Sequence, residues 1–219
     1  MVPRAVMLEG YGLTECVSQG AAITPLKGYK SGFVGVPHLN VIRIVDMESG
    51  EKQLSANEEG EIVLRGPCLM KGYWQRPEET EKVLKNGWFY TGDIGLMDEE
   101  GYLKVVGRKK ELIKCSGYSV FPHEVENLMY RHPAVAEVAV IGVSDTYRGE
   151  SPKAFIVLKP EYRGKINEKE VIEWCKENMA AYRRPRIIEF REDFPKSADG
   201  KVLRRVLSDE QSIKGHCKN

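Results

Sequence analysis

The sequence predicts an α+β protein in two parts, a β-rich stretch over residues 1–107 followed by a small α+β unit over 108–219. Three observations predict it. Residues 31–66 are short apolar runs broken by glycine and proline, as in "SGFVGVP", "VIRIVD" and "GEIVLRG", the pattern of strands between turns. A basic, glycine-preceded link, "GRKK" at 107–110, then opens a region where strand-like and helix-like segments alternate. The charge changes sign there too: residues 1–107 carry 11 Lys and Arg against 15 Asp and Glu, or −4, and residues 108–219 carry 22 against 17, or +5.

The elements follow in order. "MESGEKQ" at 47–53 reads as a hairpin turn between two strands. "RPEETEKVL" opens a helix, with Pro77 followed by acidic residues and Gly87 as its expected stop. "WFYTGDIGLMDEEGYLKVVGR" reads as two strands joined by an acidic turn at 98–101. Beyond the link come a short strand, a glycine turn and a helix with Pro122 in its first turn. Val125, Leu128, Met129 and His132 share helical spacing there, and Pro133 marks the stop. "AVAEVAVIGV" and "KAFIVL" are strands. "NEKEVIEWCKEN" is a helix with a capping box between Asn167 and Glu170. "RIIEFR" is a strand, and "DGKVLRRVLSDE" turns into a last helix.

Composition excludes several classes. With 42% hydrophobic and 30% charged residues the chain is not disordered, and no run approaches the roughly 20 apolar residues of a membrane helix. The start lacks a signal-peptide pattern, so a cytoplasmic location is expected, with no integral membrane segment. Cys16, Cys68, Cys115, Cys175 and Cys217 are scattered without C-x-x-C spacing and read as buried or idle thiols. The four histidines are equally dispersed and form neither a metal cage nor a triad pattern. A nucleic-acid module built on "GRKKELIK", "YRRPR" and "KVLRR" is disfavoured, because Glu111, Glu189 and Asp199 interleave with the basic residues and the half-charge is small. Gly200-Lys201 is not a phosphate-binding Walker loop, since Val202 replaces its Ser or Thr.

Singly, each motif is also good turn or surface chemistry; their order is more specific. "YGLTE" at 11–15, "GEIVLRGPCLMKGYW" at 60–74, "YTGDIG" at 90–95, "GRKKELIKCSGYSVFPHEVE" at 107–126 and "PKSADGKVLRR" at 195–205 together resemble the adenylate-forming superfamily, which includes acyl-CoA synthetases. The resemblance implies that residues 1–107 are the β-rich remnant of a large N-terminal domain and that 108–219 form its mobile C-terminal lid domain. It also implies ATP or AMP, Mg²⁺ and coenzyme A as ligands. Tyr11 would lie against adenine, with Gly12 beside it; Thr14 would bond phosphate oxygens, and Glu15 would help hold Mg²⁺. Asp93 would accept hydrogen bonds from both ribose hydroxyls, with Arg108 donating from the far side. Lys201 would meet the α-phosphate during adenylation, Lys110 would be the hinge, and Gly117 would border the pantetheine path.

The family places a phosphate loop and most of the acyl pocket before "YGLTE". The chain is therefore expected to be the C-terminal portion of a carboxylate–CoA ligase for medium- to long-chain fatty acids, catalytically incomplete alone. Its expected partners are the missing N-terminal half, or further copies through exposed surface, and a small carboxylate substrate. A separately encoded subunit of a split ligase is the alternative.

Overall fold

The computed structural model describes residues 9–17, 21–22, 27–198 and 200–216; Asp199 and Cys217 lie outside the described residues. The chain divides into two compact units, Met1–Lys110 and Glu111–Asn219. The sequence places this boundary three residues earlier, at Gly107; the strand carrying Gly107 and Arg108 pairs within the first unit.

The first unit begins with β1 (Gly10–Tyr11), β2 (Ala21–Ala22) and β3 (Val36–Pro37), a small antiparallel sheet in that order. "SGFVGVP" thus yields a two-residue strand and a single bridge, Gly35 to Leu103, rather than a full ladder. A second antiparallel sheet contains β4 (Val41–Val45), β5 (Gly60–Arg65), β6 (Leu84–Lys85), β7 (Trp88–Met97) and β8 (Leu103–Arg108). Ten residues long, β7 pairs with β5 along one edge, and its other edge takes β6 at Trp88–Phe89 and β8 from Asp93 onward. The period of two is visible in β4, where Ile42 and Ile44 are buried and Val41 and Arg43 exposed. They join Ile62, Leu64, Phe89, Leu103 and Cys16 in the core. The helix α1 (Pro77–Val83) starts on proline as expected, and its last turn passes straight into β6 before Gly87 is reached.

The second unit is a sheet of β9 (Ile113–Cys115), β10 (Tyr118–Val120), β11 (Val135–Asp145), β12 (Gly149–Leu158) and β13 (Ile187–Arg191), in the order β10-β9-β12-β11 with β13 parallel beside β12. Both faces of β12 are covered, which is why "KAFIVL" reads as one apolar run rather than an alternation. Ala154, Ile156 and Leu158 share a core with Val125 and Met129 of α2 (Pro122–Met129) and with Val171 and Cys175 of α3 (Glu168–Asn178). Phe155 and Val157 face the other way, against Ala139, Ile141, Phe194 and Leu207 of α4 (Arg204–His216). The capping box forms: the Asn167 side chain accepts from the Glu170 backbone N–H, and the Glu170 carboxylate accepts from that of Asn167. α2 stops at Met129, so His132, expected in the helix, lies past its end; its Nδ1 accepts from Ala134 N at 3.2 Å, and its ring packs T-shaped against Trp174 with centroids 5.1 Å apart. The spacing matched because a residue just past a helix end can still face the same core.

Candidate functional site

The "YTGDIG" stretch sits where the β5–β7 ladder breaks. Glu61 opposes Ile94 and Val63 opposes Tyr90, so Ile62 alone faces Thr91, Gly92 and Asp93. Such a bulge leaves backbone groups without ladder partners, and each residue type here answers one need. Thr91 Oγ1 donates to Ile62 O at 2.8 Å and accepts from Asp93 N at 3.0 Å. Gly92, at φ +71°, takes the left-handed conformation that the bulge requires, and its N–H donates to Glu61 Oε1 at 3.2 Å. On the other edge of β7 the ladder to β8 begins at Asp93, which stands opposite Arg108.

Asp93 is therefore presented from a kinked strand and is only 6% exposed. Tyr11 Oη donates to its Oδ2 at 2.7 Å, and Arg108 Nε lies 3.4 Å from Oδ1. Burial chiefly holds the Asp93 carboxyl above its ordinary range; Tyr11 and Arg108 pull it down, and the charges of Glu15 and Glu61 push it up again. A carboxyl raised in the folded state gives stability that is present below its unfolded value and is lost as pH rises through its folded one. Ionised Asp93 thus costs the fold something at neutral pH, a common mark of a functional site. The Tyr11 phenol is itself pushed up, first by burial and then by Asp93. An ionised carboxylate offers about four lone-pair sites, so these two contacts leave acceptor capacity for a ligand.

"YGLTE" folds as β1 leading into a 3₁₀ turn over Thr14–Cys16. Cys16 is fully buried and anchors the turn, which leaves Gly12 and Thr14 exposed. The Glu15 carbonyl accepts from Met70 N at 2.8 Å, and its Oε1 accepts from Tyr73 Oη at 2.9 Å. Burial, then the bond to Glu15, pushes the Tyr73 phenol up to about 12. A single carboxylate with one oxygen hydrogen-bonded fits Mg²⁺, which takes one or two carboxylates and completes its shell with phosphate oxygens and water. Among the described residues no group of three or more His, Cys, Asp or Glu could hold a metal without such help.

Gly117 and Lys201 lie in the second unit. Cys115 pairs with Tyr118, so Ser116 and Gly117, at φ 52° and 82°, form a two-residue hairpin loop with both residues left-handed. A Cβ on Gly117 would meet nothing within 4 Å; the turn alone accounts for the glycine within this unit. Lys201 is exposed on a turn closed by Ser197, whose N donates to Lys201 O at 2.9 Å and whose Oγ accepts from Lys201 N at 3.1 Å. Three residues on, Arg204 forks onto the buried Glu126 carboxylate, Nε to Oε1 at 3.2 Å and Nη2 to Oε2 at 2.7 Å, and approaches Glu111 at 3.4 Å. Lys110 sits exposed between Lys109, paired with Glu61 at 2.7 Å, and Glu111. The chain is thus tied to its own unit on either side of Lys110.

Of the residues singled out by the sequence, the first unit joins Tyr11, Asp93 and Arg108 directly and sets Glu15 where its charge reaches Asp93. Glu61, Tyr73, Thr91, Glu126 and Arg204 were missed as supporting groups. Their signal was faint: a lone acid in the apolar run "GEIVLRG", an acid within the Pro122 helix, and an arginine at the start of the last helix.

Tyr11 from the small first sheet meets Asp93, which pairs with Arg108 on the bulged sheet, and a lysine-bearing α+β unit follows in the chain; comparison with known proteins assigns both parts to one family. Residues 1–74 match the family described as AMP-binding enzyme, and residues 124–201 match the AMP-binding enzyme C-terminal domain; the chain belongs to the AMP-binding enzymes. It is similar to carboxylate–CoA ligases. It is 43% identical over 206 residues to a long-chain-fatty-acid–CoA ligase of Escherichia coli O157:H7, covering 93% of this chain and 36% of that protein. It is 42% identical over 212 residues to the Bacillus subtilis (strain 168) ligase of the same name, covering 97% and 38%. Among solved structures, ATP-bound MatB from Rhodopseudomonas palustris matches with a TM-score of 0.83 at 34% identity, over 94% of this chain and 41% of that one. The chain spans little more than a third of the length of these curated relatives. No helix among the described residues is long and apolar enough to cross a membrane.

Proposed function

We propose that the chain serves as the C-terminal part of an ATP-dependent ligase joining medium- to long-chain fatty acids to coenzyme A. In the first half-reaction a carboxylate oxygen attacks the α-phosphorus of ATP and pyrophosphate leaves. In the second, the thiol sulfur of coenzyme A attacks the acyl-adenylate carbonyl, loses its proton, and expels AMP. Asp93 accepts from the ribose hydroxyls, Arg108 donates from the opposite strand, and the Tyr11 ring borders the base. Thr14 reaches phosphate oxygens, and Glu15 supplies a carboxylate to Mg²⁺, which offsets phosphate charge when bound. Lys201 meets the α-phosphate during adenylation; Lys110 is the pivot and Gly117 borders the thiol path afterwards. The phosphate loop and acyl pocket come from sequence outside these residues, so cytoplasmic fatty-acid activation needs that partner.

The observation that carries this reading is the bulge holding Asp93 opposite Arg108 with the Tyr11 hydroxyl on its carboxylate. A chimera tests it, with residues 9–216 in place of the matching segment of the Bacillus subtilis long-chain ligase. The chimera should release pyrophosphate with fatty acid, ATP and Mg²⁺, whereas the 219-residue chain alone should release none above background. A folded chimera that activates no fatty acid would overturn the proposal, and turnover by the lone chain would overturn its dependence on a partner.

A further inference from the structure

We infer that Glu61 is a positioning residue that sets Asp93 and Arg108 together, by holding the residue next to each. Asp93 and Arg108 face each other across β7 and β8. Gly92, just before Asp93, donates its N–H to Glu61 Oε1 at 3.2 Å; Lys109, just after Arg108, places Nζ 2.7 Å from Glu61 Oε2. One carboxylate therefore bridges the flanks of a cross-strand pair. The bridge is not an ordinary surface contact, because Glu61 is 5% exposed and sits in the core strand β5. An acid in that strand costs desolvation unless it is paired and hydrogen-bonded, and both of its oxygens are used. The bulge explains the need. Gly92 N–H has no ladder partner, so without Glu61 a donor would be orphaned beside the carboxylate that the site depends on.

This inference rests on the reading of Asp93 and Arg108 as the ribose-facing pair, and the experiment separates the two. In the active chimera, Glu61→Ala should raise the KM for ATP about ten-fold while kcat changes little, the loss of one buried hydrogen bond that aligns a binding group. Glu61→Gln keeps an acceptor for Gly92 N–H and should recover most of that loss. Lys109→Met, which removes only the other arm, should give a smaller rise. In the 219-residue chain without nucleotide, ¹³C NMR should show the Asp93 carboxyl midpoint falling in Glu61→Gln, because one of the two acids near it is gone while Tyr11, Arg108 and Glu15 remain. The Gly92 amide proton should keep its downfield shift in Glu61→Gln and lose it in Glu61→Ala. An unchanged KM in Glu61→Ala, with ATP use abolished by Asp93→Ala, would overturn the positioning role and leave the ribose reading intact. An unchanged KM in Asp93→Ala would overturn the ribose reading; the Gly92 shift would then decide whether Glu61 sets the bulge. If Glu61→Ala fails to fold, Glu61→Gln and Lys109→Met still decide the matter, an unmoved Asp93 midpoint together with an unmoved KM being the contrary result.

Discussion

Replacing Lys201 with alanine in the active chimera should slow acyl-adenylate formation by about 10²- to 10³-fold, the loss of roughly 3–4 kcal/mol expected when one transition-state charge partner is removed. Lys201 is exposed, and its backbone C=O and N–H are both bonded to Ser197. If the second unit swings about Lys110 after adenylation, the same variant supplied with preformed acyl-adenylate should make thioester at close to the normal rate. Rapid-quench measurement of each half-reaction checks this. Equal losses in both steps would remove the case for alternation and leave Lys201 as a general charge.

The second large effect concerns stability. Arg204→Met should destabilise the second unit by about 2–3 kcal/mol, less than the 3–5 kcal/mol of a fully buried broken pair because the arginine is about one-third exposed. Glu126 would be left as a buried acid with Val140 N–H, at 2.8 Å, as its remaining close donor. Arg204→Lys keeps the charge but not the two-pronged geometry and should lose less. Denaturant unfolding of the 219-residue chain, followed through the transition that reports Trp174, measures the difference. A loss below about 0.5 kcal/mol would mean that the pair behaves as a surface contact.

The strands and helices were largely legible because their signals are local: a period of two in β4, proline at the first turn of α1 and α2, the capping pair at Asn167 and Glu170. What escaped the sequence depends on contacts distant in the chain. His132 reads as helical because its spacing is right, yet its ring nitrogen bonds the backbone two residues on. Asp93 and Tyr11 were each recognised within a motif, but nothing in "YGLTE" or "YTGDIG" says that they share a hydrogen bond across 82 residues. Glu61 was hidden for the same reason. An acid in an apolar strand reads as an exception until the bulge facing it is seen. Gly117 shows the reverse: resemblance gives it a ligand-facing role, while its left-handed turn already requires glycine or a residue much like it.

In the complete ligase Asp93, opposite Arg108, is expected to hold the ribose of the adenylate. A crystal structure of the active chimera with AMP tests it most directly. Both ribose hydroxyls should lie about 3 Å from the Asp93 carboxylate oxygens, with the Arg108 guanidinium within hydrogen-bonding distance of the same ring. AMP bound elsewhere, or bound with its ribose away from Asp93 while the Tyr11 to Asp93 bond stays intact, would rule out the ribose role of Asp93.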